Sequence, residues 1–351
     1  MLITLPAGIE GADCDDLREQ VEGWGIQTRS ASSAGRWLLV CIGDGDLLAR
    51  MPQLGWPRGT TFTAVPQHYA LCARGTHSTT RVVIPGPRPI VVGGNELVLA
   101  AGPCSVESLE SLRDVAYAAG TAGAALLRGG AFKPRTSPYA FCGLGEAALE
   151  MLGQIRSETG LAVVSEVLDA RQIDAMLPHV DVFQVGARNM QNFTLLAELG
   201  RIRRPVLLKR GLAATVEELL MAAEHIVARG NTEVILCERG VRAYETFTRN
   251  TLDVGAVAVL KRETHLPVFV DPSHAAGCAD LVPALSFAAI AAGCDGLIVE
   301  VHADPARALS DGAQSLTPAA FHELTHRLAP IAAAVGRVMP ARRQRIHELV
   351  A

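Results

Sequence analysis

Cys104, His274, Glu300 and Asp311 bring one thiol, one imidazole and two carboxylates, spread so widely along the chain that only the fold could join them. Together they suit a borderline divalent ion: Zn, Fe, Mn or Co. A second set is cationic: Arg128, Lys133, Arg135, Arg188, Lys209, Arg210 and Arg239. Cations gathered at a dry site repel one another unless anions bind between them. Such a set points to substrates carrying phosphate or carboxylate groups. Some of these cations would instead pair with neighbours such as Glu166 and Glu238. Of 32 basic residues only Lys133, Lys209 and Lys261 are lysines. A retained lysine suggests a need for a compact ammonium that a planar guanidinium cannot imitate. Lys133 and Lys209 follow apolar runs, which marks them out; Lys261 has no comparable setting.

These residues share a context. GPCSVES (102–108), RGGAFKPRTSP (128–138), SEV (165–167), GARNMQN (186–192), KRG (209–211), ERG (238–240), DPSH (271–274) and EVHADP (300–305) each follow a short apolar run. The runs are Leu97–Ala101, Ala125–Arg128, Ala162–Glu166, Val182–Val185, Pro205–Lys209, Glu233–Cys237, Pro267–Asp271 and Gly296–Glu300. Nearly all-apolar strands are those of a parallel sheet buried on both faces. Between them lie helical stretches such as Ser108–Ala119, Glu146–Thr159, Thr215–Ala228 and Asp280–Ala292, with a last helix at Pro318–Gly336. Eight strands alternating with helices fit a (β/α)8 TIM barrel, with an open doubly wound sheet as the alternative. In a barrel all eight polar segments open on one face. The ends of strands 1, 7 and 8 would then be neighbours, which joins Cys104, His274 and Glu300, with Asp311 in reach.

Residues 1–72 read as a separate small α+β domain. MLITLPA, Ile26–Thr28, Trp37–Cys41 and Thr60–Val65 are strand-like, and SASSAG reads as a turn. Cys14–Trp24 is helical with Leu17, Val21 and Trp24 on one stripe, and Leu47–Leu54 is helical. The order βαββαβ suggests a ferredoxin-like sandwich. Residues 73–95 read as a linker and β-hairpin, 96–338 as the catalytic barrel and 339–351 as a tail.

Composition bounds the rest. The 351 residues are 49% hydrophobic and 19% charged, enough for a large core and against a disordered chain. A net charge of −4 offers no global attraction to nucleic acid. The long apolar stretch at Leu285–Cys294 is broken by Ser286 and Gly293, short of a membrane span. The N-terminus does not read as a signal peptide. Eight scattered cysteines, without a CxxC pair, suit a cytoplasmic protein with core thiols and single ligands better than disulfides.

The motifs AGPCSVES, LRGGAFKPRTSP, QVGARNMQN, LLKRG, CERG, TRNTLD, VDPSHAAG and EVHADPARALSDGAQSL resemble those of the 3-deoxy-D-arabino-heptulosonate 7-phosphate (DAHP) synthase family, short-barrel type with an N-terminal ferredoxin-like domain. The resemblance covers about 97–318. It implies condensation of phosphoenolpyruvate with erythrose 4-phosphate, the first step of the shikimate pathway, dependent on one divalent metal ion and no organic cofactor. Position by position, it assigns Cys104, His274, Glu300 and Asp311 to the metal, and Arg128, Lys133, Arg188, Lys209 and Arg239 to phosphoenolpyruvate. Pro134, Arg135, Thr136 and Asp271 go to erythrose 4-phosphate. Lys133, Cys104 and His274 are the expected catalytic groups. Lys133, crowded by arginines, would have a lowered pKa and protonate the nascent hydroxyl. The sister family, making 3-deoxy-D-manno-octulosonate 8-phosphate from arabinose 5-phosphate, has a KANRS-like segment where this chain has Lys133-Pro134-Arg135-Thr136. Feedback by tyrosine or phenylalanine through residues 1–72, and a homotetramer, follow only by analogy.

Two motifs point elsewhere. His322-Glu323-Leu324-Thr325-His326 is a literal HExxH, the zincin metalloprotease pattern. Phe321, Leu324, Leu328, Ile331 and Val335 form the apolar stripe of that helix, which sends both histidines to the solvent side. Gly143-Leu144-Gly145-Glu146-Ala147-Ala148 imitates a dinucleotide fingerprint but follows a Pro-containing loop rather than a strand, and reads as a helix start.

Overall fold

A computed structural model describes residues 1–33, 35–64, 68–74, 79–86, 89–134, 137 and 139–340. The N-terminal part runs β1 (Leu2–Thr4), α1 (Gly11–Glu22), β2 (Gln27–Ser33), β3 (Arg36–Ile42), α2 (Gly45–Arg50) and β4 (Thr61–Thr63). The strands form one antiparallel sheet in the order β2-β3-β1-β4, the ferredoxin-like arrangement. Period-2 alternation divides its side chains. Ile3, Leu39 and Cys41 pack with Cys14 and Val21 of α1, whereas Leu2, Ala31, Leu38 and Val40 join the cluster that surrounds the barrel.

Three local expectations are corrected. The stretch read as a SASSAG turn is mostly strand: β2 reaches Ser33 and pairs with β3 from Gln27↔Ile42 to Ser33↔Arg36, so cross-strand pairing overrides the weak strand propensity of Ser and Ala. Residue 34 lies outside the described residues. Trp24 is not on the α1 stripe; Gly23 caps the helix, Gly25 turns at φ +80°, and Trp24 is 40% exposed. Val335 lies beyond the last helix and is exposed.

A connecting segment then lies against the barrel. Tyr69–Ala73 is buried, and its backbone is satisfied by side chains distant in sequence. Glu224 accepts from the Leu71 and Cys72 N–H groups at 2.9 Å, Thr264 donates to the Cys72 carbonyl, and His265 Nε2 lies 2.7 Å from the Leu71 carbonyl. The hairpin β5 (Val82–Ile84) and β6 (Ile90–Val92) follows.

The barrel strands are β7 (Val98–Gly102), β8 (Leu126–Arg128), β9 (Ala162–Val167), β10 (Val182–Val185), β11 (Val206–Lys209), β12 (Val234–Glu238), β13 (Val268–Val270) and β14 (Gly296–Glu300). They close in sequence order, all parallel, with β14 pairing β7. Alternation again explains the core. Val98, Ala100, Leu126, Val164, Val182, Leu207, Ile235, Phe269 and Ile298 fill the interior, and Val82, Ile84 and Val92 of the hairpin join this cluster. Gly296 is required at its place: a Cβ there would lie 2.3 Å from the Phe269 ring. The intervening residues, such as Leu99, Leu127, Val163 and Leu208, face outward to the helices.

The helices are α3 (Leu109–Thr121), α4 (Glu146–Thr159), α5 (Ile173–Met176), α6 (Phe193–Leu199), α7 (Val216–Val227), α8 (Val254–Glu263), α9 (Pro272–Ala276), α10 (Val282–Ala291) and α11 (Pro318–Ala334). Several start on a side-chain cap that explains the boundary: Ser108 for α3, Thr215 with Glu218 as a capping box for α7, and Asp253 for α8. Each such cap contributes about 1 kcal/mol. Gly143 and Gly145 lead into α4 at positive φ, so GLGEAA is a helix start, as expected. No helix among the described residues is long and apolar enough to cross a membrane.

Candidate metal centre and anion pocket

Every strand of the barrel delivers its polar segment to the same end. At β7, β13 and β14 this unites Cys104, His274, Glu300 and Asp311, whose ligand atoms all lie within 4.8 Å of one another. His274 Nε2 is 3.5 Å from Glu300 Oε1 and 3.8 Å from Asp311 Oδ2; Cys104 Sγ is 3.1 Å from the same Asp311 oxygen. Asp311 adopts φ +52°, the one non-glycine residue at positive φ among those described.

The donor set fits a divalent ion. Nδ1 of His274 lies 2.8 Å from Asp271 Oδ2, so the ring proton belongs there and the Nε2 lone pair faces Glu300 and Asp311. Burial lowers the His274 pKa against the opposing pull of Asp271 and Glu300, which favours the neutral ring. A lone pair facing two carboxylates is an arrangement that a cation resolves. Burial, then Glu300, pushes the Cys104 thiol up to about 11, so it too needs a cation to ionise.

Around this group the chain supplies supports. Asp271 caps α9: Oδ1 accepts from the His274 N–H at 2.9 Å, and Oδ2 also accepts from Lys209 Nζ. Burial opposes its ionisation, but His274 and Lys209 together hold it well below the usual carboxylate range. The Ser273 hydroxyl accepts the Glu300 N–H, and Asn250 Nδ2 donates to the His274 carbonyl at 2.9 Å. Arg128 Nη1 lies 2.5 Å from Glu300 Oε1. Burial would lower the Arg128 pKa, but Glu300 and Cys104 hold it above its ordinary value.

Beside the metal group lies a cavity of about 170 Å³ whose lining includes Lys133, Glu166, Gln184, Arg188, Lys209, Arg239 and Arg249, together with His274 and Asp311 of the metal group. Its size suits a small anion. A larger cavity, about 740 Å³, is lined by Pro283, Pro305, Ala306 and Ala320 and carries one charged side chain, Asp280; it offers nothing to an anion. Two glycines shape the anion pocket. A Cβ on Gly186 would sit 2.0 Å from Glu166 Oε1, and one on Gly130 would sit 2.8 Å from Lys133 Cδ.

The expected residues are not all brought together. Lys133, Arg188, Lys209 and Arg239 line the pocket, as does Pro134. Arg128 does not; it is buried under the metal group. Arg210 points away, its guanidinium held by Glu238 and Asp253 at 2.9 Å each. Asp271 is 1% exposed, with both oxygens engaged by His274 and Lys209, so the structure places it beneath the pocket rather than in it. Arg135 and Thr136 lie outside the described residues. The lowered pKa expected for Lys133 is corrected. Burial does lower it, but Cys104 and Glu166 outweigh burial and Arg128, and the result is raised. A carboxylate is close to it, with Glu166 Oε2 at 3.7 Å.

Arg249, Gln184 and Gln314 were not singled out from sequence. Gln184 is buried in the pocket, and its Oε1 has no hydrogen-bond partner among the described residues. His322 and His326 are exposed on α11 and stand outside the metal group, against the zincin reading. Lys261 pairs with Asp295 at 2.6 Å, a structural role.

Comparison with known proteins agrees. The model of the DAHP synthetase I family matches residues 76–334. A phospho-2-dehydro-3-deoxyheptonate aldolase from Thermotoga maritima is 41% identical over 336 residues, 96% of this chain and 99% of that protein. A 2-dehydro-3-deoxyphosphooctonate aldolase from Syntrophotalea carbinolica is 35% identical, over 65% of this chain and 88% of its own length. The crystal structure of the T. maritima DAHP synthase superposes with a TM-score of 0.75 at 40% identity, covering 96% of this chain and 98% of that one. A truncated form of the T. maritima enzyme covers 77% of this chain and 99% of its own, with a TM-score of 0.71. The chain belongs to the DAHP synthetase I family, and its activity is DAHP synthesis.

Proposed function

We propose that the chain condenses phosphoenolpyruvate with erythrose 4-phosphate at the end of the barrel where the strands terminate, on a centre of Cys104, His274, Glu300 and Asp311. The family is metal-dependent. The observation that carries this reading is the meeting of four ligand atoms beside a pocket lined by five cations, Lys133, Arg188, Lys209, Arg239 and Arg249.

Lys133, Arg188, Lys209 and Arg239 bind the carboxylate and phosphate of phosphoenolpyruvate and hold its C3 toward the aldehyde carbon. Pro134, Arg135 and Thr136 hold erythrose 4-phosphate. A divalent Mn, Fe, Co or Zn ion at the four ligands supplies Lewis acidity for the aldehyde oxygen. Arg128 neutralises Glu300, and Asp271 orients His274 and Lys209. As C3 forms its bond to the aldehyde carbon, Lys133 gives a proton to the aldehyde oxygen, which becomes the new hydroxyl. Water then adds at C2, and the C2–O bond to phosphate breaks as the added oxygen loses its protons and becomes the C2 carbonyl.

Residues 1–72 act as a regulatory unit that binds tyrosine or phenylalanine, 73–95 join it to the catalytic barrel of 96–338, and the enzyme works as a cytoplasmic homotetramer. Support comes from the sheet packed on the barrel and from the truncated relative, which covers 77% of this chain. Titrating the enzyme with each amino acid, with and without residues 1–72, tests this: inhibition should require the unit, and indifference of both forms would reject it.

The substrate assignment is tested by following phosphoenolpyruvate consumption with erythrose 4-phosphate and, separately, arabinose 5-phosphate. Turnover with the four-carbon sugar is expected. Turnover with the five-carbon sugar alone would place the chain with the octulosonate relatives.

A further inference from the structure

Gln314 is 2% exposed and lies between two groups of opposite charge. Its Nε2 donates to Glu300 Oε2 at 2.7 Å, and its Oε1 accepts from Arg249 Nη1 at 2.8 Å. A carboxylate only accepts and a guanidinium only donates, so the amide fits in one orientation alone. Arg249 therefore dictates which end of Gln314 meets Glu300. The two oxygens of Glu300 are thereby distinguished. Oε2 is occupied by Gln314, while Oε1 faces His274 Nε2 and Arg128.

The same amide ties separate segments together. Gln314 and Asp311 flank one short turn, in which the Gln314 N–H donates to the Asp311 carbonyl at 3.2 Å. Arg249 Nη1 is also 3.2 Å from Asp311 Oδ1, and the next residue, Asn250, holds the His274 carbonyl. A single buried side chain thus links the end of β14, the Asp311 turn and the segment that steadies His274.

We infer that Gln314 is a positioning residue for the metal centre: pinned by Arg249, it fixes the Glu300 carboxylate so that one oxygen stays directed at the ion. Gln314 itself does not line the phosphoenolpyruvate pocket and reaches it only through Arg249, so its effect falls more on metal affinity than on anion binding. This inference rests on the four-residue metal reading.

The test uses the full-length chain stripped with a chelator, with Mn²⁺ affinity measured by competition against a chromophoric chelator and phosphoenolpyruvate affinity by calorimetry at saturating metal. The wild type should bind one ion. Gln314→Met, similar in size but without hydrogen bonds, should weaken Mn²⁺ binding roughly 10–100-fold, as loss of a hydrogen bond behind a metal ligand typically does. Its phosphoenolpyruvate affinity should change much less than its metal affinity. Gln314→Asn keeps the amide but is one methylene too short to span both partners; it should shift metal affinity the same way, and decides the matter if the Met variant does not fold. Wild-type metal affinity in a folded variant, or equal losses for metal and phosphoenolpyruvate, would overturn the inference. Failure of the wild type itself to bind an ion would overturn the metal reading instead.

Discussion

Asp271 holds His274 at two points, its Oδ1 on the backbone N–H at 2.9 Å and its Oδ2 on ring Nδ1 at 2.8 Å. The same Oδ2 accepts from Lys209, so the imidazole of the metal group and an ammonium of the anion pocket share one buried anion. Asp271→Asn leaves the shape intact but sets an amide against Lys209 and loosens the ring. Metal affinity should fall roughly 10–100-fold. The KM for phosphoenolpyruvate should rise, because Lys209 loses its partner. Chelator competition and steady-state kinetics check both, and a variant unchanged in both would show that Asp271 does not position His274.

Lys133 lies 3.7 Å from the Glu166 carboxylate and beside Cys104, surroundings that raise its pKa despite burial. If charge alone matters, Lys133→Arg should turn over nearly normally. If its proton is transferred, the variant should lose roughly 10²–10⁴-fold in kcat, the usual contribution of a positioned acid. The loss is the expected result, and near-normal kcat would remove the proton-donor role.

Phe269 fills the barrel interior between strands, wholly buried, with Gly296 making room for its ring. Phe269→Ala should destabilise the chain by about 3–5 kcal/mol. Denaturant unfolding checks this, and a loss below about 1 kcal/mol would mean that the neighbours collapse into the gap.

Glu224 anchors the Tyr69–Ala73 segment to α7, and burial raises its pKa against the lowering effect of the Leu71 and Cys72 N–H groups. A carboxyl raised in the folded state contributes stability at pH values below its unfolded pKa. That contribution is lost as pH rises through the folded value. Glu224→Gln cannot titrate. The melting temperature of the wild type relative to this variant should therefore fall as pH rises from about 4 to 7. A constant difference would show that Glu224 is not desolvated.

Much of this was legible in the sequence because parallel strands buried on both faces leave short apolar runs. Val182–Val185 and Gly296–Glu300 are found at the expected bounds, and Cys104, His274 and Glu300 stand at or a few residues beyond strand ends, with Asp311 brought in by a later turn. Arg210 was misplaced because adjacency to Lys209 hid the alternation of side chains, which sends one inward and the next outward. Arg249 and Gln314 lie within the TRNTLD and SDGAQSL motifs, but no periodicity marks them there; only the closed fold shows their partners. The direction of the Lys133 pKa also depended on which charges end up nearest, and those come from β7 and β9.

The most direct measurement is phosphoenolpyruvate consumption with erythrose 4-phosphate after exhaustive chelation, followed by stepwise return of Mn²⁺. Activity should vanish on chelation and return fully at one ion per chain. Full activity in the stripped protein would contradict the assignment of Cys104, His274, Glu300 and Asp311 as the centre of this enzyme.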